Sequence, residues 1–128
     1  MLNKLAKEVH QNAVEHGWWE KEREFGSLIA LMHSELSEAL EEYRNMETGT
    51  DLDRRIKRKL IYYSGGGYIC DQPSHCSKKP EGIAIELADV IIRILDYCGK
   101  EEIDIDEAIH IKHEYNKTRS YRHGGKQI

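Results

Sequence analysis

Residues 25–44, FGSLIALMHSELSEALEEYR, decide the fold. Leu28, Ile29, Leu31, Met32, Leu36, Ala39, Leu40 and Tyr43 recur at helical steps, leaving one apolar stripe rather than the alternation of a strand. Working outward, three more segments read the same way. Residues 2–16 carry Leu5, Val9 and Ala13 on one stripe, and Gly17 ends them. Residues 81–97 open after Pro80 and are stopped by Gly99. A last helix is capped by Asp104 or Asp106 and carries Ala108, Ile109, Ile111 and Tyr115. The predicted fold is therefore all-α, a four-helix-bundle-like protomer forming one domain over residues 1–128.

A long connection, residues 45–79, separates the second predicted helix from the third. Its DLDRRIKRKLIYY stretch (residues 51–63) predicts a short basic helix. The following SGGGYICDQPSHCSKKP is turn-rich and reads as a flexible excursion, so an insertion is expected at about residues 48–79.

Composition narrows the classes of function. The 128 residues suffice for one real core, and a formal charge of −4 gives no overall pull toward nucleic acid. No apolar run is long enough to span a bilayer, and the first residues, MLNKLAKEVHQNAVEHGWW, are amphipathic rather than signal-like. Cys70, Cys76 and Cys98 leave at least one thiol unpaired, which suits a reducing compartment. A cytoplasmic protein is expected, without nucleic-acid or membrane partners.

Chemistry enters with two acidic pairs. Glu35 and Glu38 lie in HSELSEALEE, and Glu86 and Asp89 in AIELADVII, each spaced i, i+3 so that both side chains share one helical face. An isolated pair of this kind is usually solvated charge. The second is harder to dismiss, because its acids interrupt a strongly apolar segment, and unpaired carboxylates are seldom buried. If the two helices pack antiparallel, the four carboxylates converge and repel, raising at least one pKa. A hard divalent cation such as Mg²⁺ relieves that repulsion, and it commonly joins carboxylates to substrate phosphates. Water activated there, with a neighbouring carboxylate as base, can attack a phosphorus centre in line.

Ser34-Glu35-x-x-Glu38 followed by Glu86-x-x-Asp89 resembles the signature of the MazG-like all-α nucleotide pyrophosphohydrolases. The layout of residues 17–44 is similar to the first half of such domains. KHEYNKTRSYRHGGK (residues 112–126) resembles the closing segment of the small, often phage-encoded single-domain members. The resemblance implies hydrolysis of a nucleoside triphosphate between its α and β phosphates, with Mg²⁺ or, in its place, Mn²⁺. It implies metal and catalytic roles for Glu35, Glu38, Glu86 and Asp89, and phosphate or base contacts from Lys112 and Asn116. Arg119, Arg122, His123 and Lys126 are further expected substrate contacts, since a guanidinium fork suits phosphate oxygens. A homodimer or homotetramer is implied as well. Two departures stand out. Ser34 occupies the place of a second glutamate in the fullest family pattern, and the spacer from Glu38 to Glu86 is longer than usual. Ser34 motivates the alternative reading, a nucleotide- or partner-binding helical module without catalysis.

Other constellations carry less. Cys70, His75 and Cys76 lack the paired half-sites of structural zinc. Glu107 and His110 form a single ExxH, whereas a di-iron bundle needs two. Trp18 and Trp19 read as structural.

Overall fold

The computed structural model describes residues 1–45, 50–63 and 79–120. The fold is all-α, as the sequence predicts. Among the described residues its helices are α1 (Leu2–Glu15), α2 (Phe25–Arg44), α3 (Asp51–Lys59), α4 (Ile83–Lys100) and α5 (Ile105–Thr118). Among the described residues the sheet is limited to β1 (Tyr62–Tyr63) and β2 (Pro80–Glu81), paired antiparallel as Tyr62 with Glu81 and Tyr63 with Pro80. No helix among the described residues is long and apolar enough to cross a membrane.

The chain divides into two compact units, Lys21–Ile94 and a second made of Met1–Glu20 with Leu95–Ile128. In the first unit, α2 buries Leu28 and Ala39. The basic segment after α2 does form a helix, and its start is self-sufficient. Thr50 Oγ1 accepts the Asp53 N–H (3.2 Å) while Asp53 Oδ2 accepts the Thr50 N–H (3.1 Å). This reciprocal box satisfies two donors that an uncapped helix leaves orphaned, worth about 1 kcal/mol.

Pro80 does not open a helix. It sits in β2, and α4 begins only at Ile83. Gly82 makes the corner between them at φ +121°, where a Cβ would lie 2.7 Å from the Leu60 carbonyl oxygen.

The second unit is built on Ala6, Leu95 and Cys98, with Leu2 and Ile105 packed against them. Gly99, expected to stop the third helix of the sequence reading, lies inside α4 instead. The reason is tertiary. A Cβ there would come within 2.4 Å of the Ala6 carbonyl oxygen and 2.8 Å of His10 Cβ, so the glycine serves a close crossing of two backbones. Burial of Cys98 also pushes its thiol pKa up.

Both candidate aspartate caps are used, at different helices. Asp104 accepts the Glu107 N–H (3.0 Å) and starts α5. Asp106 turns to α1, accepting the N–H groups of Leu2 (2.9 Å) and Asn3 (3.0 Å). Asp96 is the buried acid of this unit. His10 donates to it from Nδ1 (2.8 Å) and Trp19 from Nε1 (3.0 Å), so the charge leaves water with its acceptors filled. The Trp19 indole N–H is thereby tied to the buried Asp96.

Candidate metal centre

The acids of the first unit are gathered by helical period. Glu35, Glu38 and Glu42 recur along one face of α2 at steps of three and four. Glu86, Asp89 and Arg93 do the same on α4. One carboxylate oxygen from each of Glu35, Glu86 and Asp89 lies within 4.8 Å of the other two. Glu38 completes the group through a hydrogen bond with Glu86. The two pairs singled out in the sequence are thus brought together.

Their electrostatics follow from crowding. Burial first, then the hydrogen bond to Glu38 and the charges of Glu38, Asp89 and Glu42, push the Glu86 carboxyl up to about 7. Asp89 is also raised, by burial and then by Glu35, against the opposing pull of Arg93 and Lys79. Arg93 Nε donates to Glu35 Oε1 at 2.5 Å, with the two side chains 29% and 13% exposed. On the flank, Tyr62 donates to Glu42, and that bond, with burial and the charges of Glu42, Glu81 and Glu86, lifts the phenol to about 12.

The residues present fit a hard cation. All the donors are carboxylate oxygens, as Mg²⁺ prefers. Oxygens on opposite sides of that ion stand about 4.2 Å apart, given metal–oxygen distances of ~2.1 Å, so a small contraction of the cluster suffices. Burial first, and then the neighbouring carboxylates, disfavour the ionised forms of Glu86 and Asp89, and a bound cation would favour them.

A pH dependence follows. Glu86 binds its proton more tightly folded than unfolded, so its contribution to stability is full below about 4.5 and is lost as pH rises through about 7. The melting temperature of the cation-free protein is expected to be about 2–4 °C higher at pH 6 than at pH 8. Glu86→Gln, neutral at both, should flatten the difference. An equal slope in the variant, measured by thermal denaturation in chelator, would assign the effect elsewhere.

The remaining predicted site residues are placed differently. Lys112, Asn116 and Arg119 belong to the second unit, the first two exposed on α5 and Arg119 at its C-cap. Lys112 and Arg119 both approach the Tyr115 ring, at 5.0 and 5.8 Å from its centroid. Arg122, His123 and Lys126 lie outside the described residues, as do Cys70, His75 and Cys76. Glu107 and His110 are exposed on α5.

Sequence reasoning missed Arg93, Glu42, Tyr62 and Lys79. A signal existed for the first two. Arg93 falls four residues after Asp89, and Glu42 four after Glu38, so each extends its acidic face by one turn. Tyr62 and Lys79 reach the site through the hairpin, which no local pattern announced. No family model, curated protein or solved structure matches the chain.

Proposed function

We propose that this acid cluster binds Mg²⁺, with Mn²⁺ able to replace it. The protein would hydrolyse nucleoside or deoxynucleoside triphosphates between the α and β phosphates, consuming one water and giving monophosphate and pyrophosphate. The observation that carries the reading is the convergence of Glu35, Glu86 and Asp89 within 4.8 Å, with Glu38 bonded to Glu86. The resemblance of ExxE and ExxD to the MazG-like signature gives the reaction its direction.

When bound, the cation supplies charge neutralisation and polarisation to the phosphates. Glu35, Glu86 and Asp89 would hold it, one oxygen each. Glu38, the neighbouring carboxylate outside that triad, is the general base for the attacking water. Phosphate contacts by Lys112, Asn116, Arg119, Arg122, His123 and Lys126 belong to the proposal on the strength of the resemblance.

Association of copies, as homodimer or homotetramer, is also proposed. Leu36, Leu40, Leu87 and Ile91 are 44–53% exposed on α2 and α4, and Ile109 and Ile111 are exposed on α5. Apolar area left in water at that density favours burial against another surface.

The test is incubation of purified protein with Mg²⁺ and a panel of canonical and modified triphosphates, products being separated by chromatography. Monophosphate with pyrophosphate is the expected outcome. Diphosphate with phosphate would move the cleaved bond and overturn the α–β assignment. Bound but unchanged nucleotide would favour the non-catalytic binding module instead.

A further inference from the structure

We propose that Arg93 is a tethered counter-ion that competes with the divalent cation for Glu35, and so sets the cation concentration at which the acid cluster fills. The inference rests on the reading of that cluster as a cation site. Arg93 Nε meets Glu35 Oε1 at 2.5 Å, and both side chains are largely withdrawn from solvent. Ion pairs screened by water are weak, whereas a charge-assisted bond in a partly buried setting is stronger. Arg93 also stands one helical turn beyond Asp89 on the same face of α4, where its charge acts on that second acid.

Glu35 therefore has two claims on it. It belongs to the oxygen triad that fits a hard cation, and it is the acceptor of a guanidinium carried by the same helix as the other two members. A divalent ion drawing on the Glu35 oxygens meets the repulsion of a fixed positive charge beside it. Breaking the Arg93 bond is the work that each binding event must do. In the cation-free protein the same bond keeps the acids from standing uncompensated. A residue that only oriented Glu35 would strengthen cation binding; a competitor weakens it. The two roles make opposite predictions for removal of the charge.

The experiment is a Mn²⁺ titration without nucleotide at fixed pH, following free Mn²⁺ by electron paramagnetic resonance. Arg93→Gln is expected to bind Mn²⁺ about tenfold more tightly than wild type. Arg93→Lys keeps the charge and should remain within about twofold of wild type on the same scale. Unchanged or weaker binding by Arg93→Gln, with helical circular dichroism retained, overturns the competition. Where neither wild type nor Arg93→Gln binds Mn²⁺ at millimolar concentration, the cation reading of the cluster fails, a result distinct from the failure of competition alone. A second measurement needs no variant. The ¹⁵N resonance of Arg93 Nε–H in the wild-type protein should shift as Mg²⁺ is added, and an unmoved resonance at saturating Mg²⁺ overturns the proposal.

Discussion

Glu38→Ala and Asp89→Ala should each lower Mg²⁺-dependent pyrophosphate release by on the order of 10³-fold or more, with helicity retained. The two losses have different origins. Asp89 is one of the three residues whose oxygens converge, so its removal takes a donor from the proposed cation site. Glu38 stands outside that triad, and its removal takes the proposed base. Folding should tolerate both changes. Glu38 is exposed, and deleting Asp89 removes a carboxyl whose pKa is raised by burial and then by the charge of Glu35. In chelator, Asp89→Ala is accordingly expected to melt at or slightly above the wild-type temperature, while saturating Mn²⁺ should stabilise it far less than wild type. Wild-type turnover in either variant, measured as pyrophosphate per unit time, would remove that residue from the mechanism.

The second large effect is on stability. Gly99→Ala is expected to destabilise the protein by about 2–4 kcal/mol, lowering the melting temperature by ~10 °C. Two terms oppose each other here. Alanine in a helix interior is favoured over glycine by about 1 kcal/mol, which argues for stabilisation. Against it stands a Cβ placed 2.4 Å from the Ala6 carbonyl oxygen and 2.8 Å from His10 Cβ. The first of these neighbours is backbone and cannot rotate away. The crossing of α1 with the end of α4 must open, loosening the contacts of Ala6 with Leu95 and Cys98. Crowding wins over propensity. Calorimetry decides it, and an unchanged or raised melting temperature would mean that the crossing is softer than described.

The fold was legible where local period and tertiary need agree. Residues 25–44 have the apolar steps of a helix and form α2 with those same bounds. Gly99 misled because glycine after an apolar run is also the mark of a helix end. A helix that needs glycine for a close neighbour looks identical in one dimension. Pro80 misled similarly, since proline suits both the first turn of a helix and a strand edge. A two-residue strand is too short to show any period, so the hairpin left no trace. Asp96, set beside Ile94 and Leu95, is a buried acid that the sequence reading passed over. Its partners His10 and Trp19 lie far away in sequence, where spacing carries no information.

The candidate site was legible to the extent that acids repeat at helical steps. Glu35, Glu38, Glu86 and Asp89 were nameable because each pair sits on a single helix. Their convergence depends on how α2 meets α4, which the sequence leaves to packing. The positive member of the group is hidden in a pattern of like charges. Arg93 shares the period of the acids and differs only in sign.

The short hairpin also bears on how such a chain can change over evolutionary time. Tyr62 and Tyr63 face Glu81 and Pro80 across a ladder that joins the two ends of the segment between them. Whatever length lies beyond Tyr63, the chain returns to the same place before α4. For a flexible connection the closure cost grows only logarithmically, about 0.6 kcal/mol for each doubling of length. A change of length between Tyr63 and Pro80 would leave the spacing of Glu86, Asp89 and Arg93 along α4 as it is.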